Sequence, residues 1–151
     1  MREFHAEAAE VVAAPLQDCF ALLAAVDHYP EWCPDVIRAV EVLERGGGGQ
    51  PNRVRMTIRV ARAALVREFD LVLAIVVEPP RAVTLTRVTD HPTNQELNAA
   101  WQLSPTNSTR VALQLEAKLR LPWYIRADGI ADAIAEGFVT AACRALATPP
   151  H

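Results

Sequence analysis

No stretch of this 151-residue chain approaches the uninterrupted apolar run of about 18 residues that marks a membrane-spanning helix, and its opening Met1-Arg2-Glu3-Phe4-His5 is not a signal peptide. A cytoplasmic protein with no integral membrane association is expected. An excess of positive charge is also missing. The net charge is -3, whereas a nucleic-acid partner would call for a basic face, so none is expected. Cysteine is sparse: Cys19, Cys33 and Cys143 are odd in number, widely spaced and free of any Cys-x-x-Cys pair. That excludes a disulfide framework and a thiolate zinc site, and leaves free thiols.

Catalytic signatures are equally scarce. Ser104 and Ser108 are the only serines, both lie in or beside a turn, and no Gly-x-Ser-x-Gly elbow exists, which argues against a serine hydrolase. His5, His28, His91 and His151 show no metal-ligand spacing, so neither a metal nor a cofactor is expected. Internal repeats and interdomain linkers are absent. The one low-complexity piece, Gly46-Gly47-Gly48-Gly49-Gln50-Pro51-Asn52, lies between two alternating apolar runs and reads as a strand-to-strand loop. A phosphate-cradling loop would need a helix directly after it.

What is present fits one globular domain over residues 1–151. Hydrophobic residues make up 51% and charged residues 22% of the chain, and a domain of this length buries about 68–70% of its unfolded surface. Arg2 to Val12 read as a first strand. Pro15 opens a helix in which Leu16, Cys19, Phe20, Leu23 and Val26 recur at three- and four-residue spacing, ending near Asp27. Tyr29-Pro30-Glu31-Trp32-Cys33-Pro34 then forms a short helical turn or loop, since each proline disfavours helix in the residue before it. Two prolines and two large aromatics suggest a rigid lid-like turn rather than a core segment.

From Val36 the period shifts toward two. Val54, Met56, Ile58 and Val60 alternate with Arg53, Arg55, Thr57 and Arg59, as in a strand buried on one face. Strands over Leu65 to Val77, Val83 to Thr89 and Gln95 to Leu103 follow, and a last one carries Val111, Leu113, Leu115, Ala117 and Leu119 inward. Short turns between them predict an antiparallel meander. After Pro122 the chain reads as helix to about Ala147, with an apolar stripe of Ile130, Ile134, Phe138, Ala141 and Ala145. Gly129 and Gly137 would let that helix approach a sheet closely or leave space beneath it.

Strand, two short helices, six strands and a long helix is an order with a known likeness. Ala14-Pro15 before the first helix, Asp27-His28-Tyr29-Pro30-Glu31-Trp32 after it, Val40-Glu41-Val42-Leu43-Glu44 in the next strand and Trp101-Gln102-Leu103-Ser104-Pro105 further on carry it. Across essentially its whole length the chain resembles the helix-grip (START-like, SRPBCC) superfamily, most closely the polyketide cyclase and coenzyme Q-binding branch. The resemblance implies an α+β fold in which a curved antiparallel sheet of about seven strands grips a long C-terminal helix. It further implies an apolar tunnel for a lipid, polyketide or quinone-like ligand. Because such folds host carriers, cyclases and regulators alike, function has to come from the site.

Strand parity nominates the inward polar groups. If Glu68 and Asp70 face solvent, Arg67 shares the inner face with Phe69 and Leu71, and Arg87 similarly shares one with Leu85. An interior guanidinium needs partners or a ligand anion, and the alternative is that both arginines sit at strand ends and reach water along their stems. Tyr29 and Trp32 are expected at the cavity mouth and Trp123, with Tyr124, at the opposite rim. Met56, Phe69, Trp101 and Phe138 are expected as wall, though Trp101 and Phe138 can equally fill the core. His28, beside Asp27, is the one acid–base candidate, with a surface role as its plainer reading, and Cys33 reads as a small buried hydrophobe.

Two function classes follow. One is a carrier or sensor, monomeric or homodimeric, that binds a hydrophobic small molecule. The other is a polyketide cyclase or aromatase in which Arg67, Arg87, His28 or Tyr29 assists proton transfer, with a regulatory domain acting on a protein partner as a weaker third. The mostly aliphatic inner positions favour the first.

Overall fold

Alternating apolar residues are the main architects of this fold. The computed structural model describes residues 2–62, 65–88, 96–106, 108–119 and 127–147. In chain order these form β1 (Arg2–Val12), α1 (Leu16–Ala24), a 3-10 turn (Val26–His28), α2 (Tyr29–Trp32), β2 (Ile37–Arg45), β3 (Pro51–Arg62), β4 (Leu65–Glu78), β5 (Ala82–Arg87), β6 (Glu96–Pro105), β7 (Thr109–Leu119) and α3 (Ala127–Ala147). The strands make one seven-stranded sheet in the order β1-β7-β6-β5-β4-β3-β2. Every neighbouring pair is antiparallel. Strands β2 to β7 thus form the meander, and β1 closes onto its far end. This is the helix-grip architecture.

Period-two patterning decides which face is the core. Val54, Met56, Ile58 and Val60 on β3 are all buried, while Arg55 between them is exposed. The same parity buries Phe69, Leu71 and Leu73 on β4, Val83 and Leu85 on β5, Trp101 and Leu103 on β6, and Val111, Leu113 and Leu115 on β7. One contiguous cluster joins these residues to the helices. At about 25 cal/mol per Å² of apolar surface removed from water, such a face supplies the main driving force for folding.

Helix α1 buries Cys19, Leu23 and Ala24, with Leu16, Phe20 and Leu22 packed against the cluster. Pro15 stands one position before the helix, at its N-cap, in extended conformation. The hydroxyl of buried Thr109 donates to the Ala14 carbonyl at 2.7 Å, tying the turn into α1 to the start of β7. At the other end of α1, the Gln50 side-chain amide donates to the Ala24 carbonyl at 2.7 Å. Gln50 can reach it because Gly48 and Gly49 adopt φ of 75° and 81°, a left-handed conformation that glycine alone enters without penalty. The glycine segment is therefore a shaped β2–β3 connection.

On α3 the buried face is rotated from the expected stripe. Ala131, Ala135, Phe138, Val139, Ala142 and Cys143 are buried, whereas Ile134, Ala141 and Ala145 are only half-buried. Small alanines make the closest approach, so the helix settles on them and sets the larger Ile134 to one side. The side chain of Ile130 lies outside the described residues. Gly137 does not serve close packing: it is exposed, and a Cβ built there would meet nothing within 4 Å.

Candidate functional site

Between the sheet and α3 lies an apolar cavity. Its walls come from Met56, Ile58 and Val60 of β3, Phe69 and Leu71 of β4, Leu85 of β5, Leu97, Ala99 and Trp101 of β6, and Leu115 and Ala117 of β7. Ile37 of β2, Ile134 and Phe138 of α3, and Tyr29 of α2 complete it. The free volume is about 20 Å³, which is room for roughly one water molecule. No charged side chain among the described residues lines it. Among the described lining residues the side-chain N–H and O–H groups are the Tyr29 hydroxyl and the Trp101 indole N–H.

Four aromatic rings from three elements meet at this cavity. Phe138 packs edge-on against Tyr29 at 5.5 Å and against Trp101 at 5.1 Å, and lies tilted against Trp32 at 5.4 Å. Tyr29 and Trp32 are themselves 4.9 Å apart in an edge arrangement. Such offset geometry places positive ring edges against negative faces. The cluster binds α2, α3 and β6 into one block.

Tyr29 departs from the sequence expectation. A Pro-bounded turn reads as rim, yet Tyr29 is 0% exposed and Cys33 is 4% exposed, so these two side chains join the core while Glu31 and Pro34 face outward. The reason is a partner for the hydroxyl: it donates at 2.6 Å to the Leu23 carbonyl, one of the last in α1, where the helix's own hydrogen-bond ladder runs out. Burial pushes the phenol's pKa well above its ordinary 10.0, opposed only in part by the nearby Trp101 N–H. Tyr29 is therefore a neutral phenol at any physiological pH.

Met56, Phe69, Trp101 and Phe138 line the cavity together with Tyr29. Trp32 is half-buried and stands behind Tyr29 and Phe138 rather than in the wall. Arg67 is exposed, although it pairs with buried Val60: its guanidinium turns to the Val66 carbonyl at 3.3 Å. The stem reaches water, and the inward reading of Arg67 is set aside. Arg87 keeps the inner parity, opposite Leu73, with a half-buried side chain at the end of β5, but it does not line the cavity. Trp123, Tyr124 and His91 lie outside the described residues. Lining residues without individual nomination, such as Leu97, Ala99 and Ala117, carried no chemical signal beyond their alternation.

His28 sits on the surface. Its Nδ1 is 2.7 Å from Glu31 Oε2 and its Nε2 is 3.8 Å from Asp27 Oδ2, while Arg45 reaches the same Asp27 oxygen at 3.4 Å. The hydrogen bond to Glu31, then the charge of Asp27, raise the His28 pKa above 6.5. A raised folded-state value stabilises the fold below the unfolded pKa, and this contribution is lost as pH rises through the folded one. Because the ring is exposed the effect on stability is small. The expected NMR titration midpoint lies above 6.5, and Glu31→Gln should bring it down; a midpoint indifferent to Glu31 would remove this contact from solution. Among the described residues no group of three His, Cys, Asp or Glu is placed to hold a metal. No described helix is long and apolar enough to cross a membrane.

Comparisons with known proteins agree with this geometry. No curated protein matches the chain. Among solved structures, a START superfamily protein from Mycobacterium smegmatis superposes with a TM-score of 0.76 at 18% identity, over 94% of this chain and 96% of that one. A Thermus thermophilus protein gives 0.71 at 15% identity, over 96% and 97%. The Zhui aromatase/cyclase of a Streptomyces species gives 0.64 at 21% identity, over 96% and 94%. At these identities the likeness shows the fold alone. The family model described as "Polyketide cyclase / dehydrase and lipid transport" matches residues 12–131, a span that runs from the end of β1 into α3 and takes in most of the cavity wall, and the chain belongs to that family.

Proposed function

We propose that this protein binds a hydrophobic small molecule between the sheet and α3, as a carrier or sensor rather than a catalyst. The carrying observation is the chemistry of the wall: among the described residues its lining is aliphatic, thioether or aromatic, and its one ionisable group, the Tyr29 phenol, is held protonated by burial. General acid–base chemistry needs a group that titrates near the working pH and reaches the substrate. His28, the acid–base candidate, lies on the surface, 57% exposed, and does not line the cavity.

The driving force would be burial. At about 25 cal/mol per Å², a ligand losing roughly 300 Å² of apolar surface gains on the order of 7 kcal/mol before the costs of association. Ligand pockets usually span about 300–1,000 Å³, far above the 20 Å³ present. Loading therefore separates α3 and the Tyr29 segment from the sheet. Mass spectrometry of an organic extract of the purified protein, with uptake of apolar fluorescent probes, tests this reading. An empty extract and no uptake would count decisively against it.

Ala117 provides the matching variant. It lines the cavity and pairs with Leu97, so Ala117→Phe should fill the space, costing about 1–3 kcal/mol through overpacking. Probe uptake should fall about tenfold or more while circular dichroism still reports the fold. Undiminished uptake would place the ligand elsewhere.

A second reading, polyketide cyclase or aromatase, is supported by the family description and by the aromatase/cyclase among the structural neighbours. Arg87, the one inner-parity cation retained in part-buried surroundings, is its best residue. That reading requires turnover of a poly-ketone chain that drops in Arg87→Ala; a product profile unaltered by the substitution would remove Arg87 from any mechanism.

A further inference from the structure

We infer that two copies of this chain pair through the solvent-facing side of β6, β7 and β1, related by a twofold axis that crosses the strands. The contact lies on the face of the sheet away from α3 and is independent of what the cavity holds.

Alternation shapes this surface as it shapes the core. Facing outward, β7 carries Arg110, Ala112, Gln114 and Glu116 in turn, β6 carries Ala100 and Gln102, and β1 carries Glu7 and Ala9. The register sets Ala112 between Gln102 and Ala9, and Gln114 between Ala100 and Glu7. Long and short side chains thus alternate along each strand, and above the alanines they leave a hollow of about 270 Å³ framed by Glu7, Gln102, Arg110 and Gln114.

The charges at the two ends of this hollow are open. On the β2–β4 half of the same face the polar groups satisfy one another, Arg55 with Glu41 at 3.3 Å and Thr57 with Asp70 at 2.6 Å. Arg110 and Glu116 are exposed, and neither side chain has a hydrogen-bond or ion-pair partner in its own chain among the described residues. Standing on one extended strand, they are about 20 Å apart along it, too far to meet each other.

A second copy closes both ends at once. Let the twofold axis run across the strands between the levels of Ala112 and Gln114. Arg110 of each copy then lies over Glu116 of the other, Gln114 over Ala112, Gln102 over Ala100 and Glu7 over Ala9. Every long side chain enters the other copy's hollow, and both open charges find an opposite. An isologous contact needs this kind of self-complementarity. An axis along β7 would instead stack Arg110 on Arg110 and Glu116 on Glu116, so charge selects the orientation. The patch is small: with β5 and β4 at its margin it covers roughly 600 Å² on each copy at ordinary strand spacing, the low end for a specific interface. A weak, concentration-dependent dimer follows.

Sedimentation equilibrium on the full chain tests the inference. From about 10 µM to about 1 mM at low salt it should show reversible dimerisation with Kd on the order of 100 µM. About 0.5 M salt should weaken the dimer severalfold. Arg110→Glu and Glu116→Arg each set like charges against each other, and each alone should lose affinity by about tenfold or more. Mixed one to one, the two variants are complementary at both contacts and should pair with an affinity close to the parent's, a rescue that a damaged fold could not give. In the unaltered protein, the amide resonances of Ala9, Ala100 and Ala112 should shift as concentration rises while those of Arg55 and Thr57 stay still. A chain that remains monomeric at about 1 mM, well above the expected Kd, would overturn the inference. So would a dimer indifferent to both charge reversals, or one whose shifting resonances map to another face.

Discussion

Raising the pH from 9 to 11 should cost the folded protein several kcal/mol, with urea midpoints dropping steeply across that window in reducing buffer. Burial pushes the Cys33 and Cys143 thiols up from 9.0 to about 11, with help from Asp35 for the first and Glu10 for the second. Burial likewise raises Cys19, and drives the Tyr29 phenol far above 10.0. The sign is that of an acid kept neutral by folding. Below the unfolded pKa both states hold the proton and stability is flat. Above it the unfolded chain releases the proton while the folded chain retains it, so each group removes up to about 1.4 kcal/mol per pH unit until its folded pKa is reached. Two thiols acting from 9 to 11, joined by Tyr29 above 10, bring the loss to the order of 5 kcal/mol, a large part of a typical stability of about 5–15 kcal/mol. Cys33→Ala and Cys143→Ala should each flatten the lower part of the profile, and Tyr29→Phe the upper part. Stability unchanged between pH 8 and 11 would show that these groups are not sealed from water in solution.

That window depends on a feature the sequence conceals. The alternation of Val54, Met56, Ile58 and Val60 announces a one-sided strand because each residue's direction is set by the two-residue repeat of the strand itself. Tyr29 has no such repeat around it. Its burial is imposed from a distance, by Phe138 on α3 and by the Leu23 carbonyl at the end of α1, and a Pro-bounded turn looks the same whether it caps a mouth or plugs a core. The α3 stripe was obscured for a related reason. Alanine carries little weight in a periodicity reading, so Ala131, Ala135 and Ala142, the residues of closest approach, were less visible than Ile134.

Arg67 shows the limit of parity. Its position on the inner side of β4 follows correctly from Phe69 and Leu71, and it pairs with Val60 as an inner residue should. What parity cannot convey is how deeply a long side chain is covered. Among the described residues the β4–β5 pairs run from Leu73 opposite Arg87, with the Val88 N–H still donating to the Val72 carbonyl, and Arg67 lies further along β4 with its side chain exposed. The same register leaves Arg87 half-buried, between Leu73 on β4 and the start of β6. Strand direction is local and legible, whereas how deeply a long side chain is covered is a property of the assembled sheet.

Phe138→Ala should be the most damaging of the single substitutions considered, costing about 3–5 kcal/mol. Phe138 is 4% exposed and is the one ring in contact with all three others of the cluster. Its removal forfeits the transfer energy of a buried phenyl group, leaves a void that the flanking β6 and α2 can close only in part, and takes away edge contacts worth about 0.5–1.5 kcal/mol each beyond area. For a chain of this length each kcal/mol shifts the melting temperature by roughly 2–4 °C, so a fall on the order of 10 °C is expected by calorimetry. Phe138→Leu, which keeps most of the volume but none of the ring geometry, should cost markedly less. The void also adjoins the cavity, so the alanine variant should accept a bulkier apolar probe than the parent even as it melts earlier, whereas Ala117→Phe should do the reverse. A Phe138→Ala protein that loses less than about 1 kcal/mol, well under the usual cost of a buried Phe, would mean that the four rings do not form a single block and that α2 is already free to lift away from the sheet.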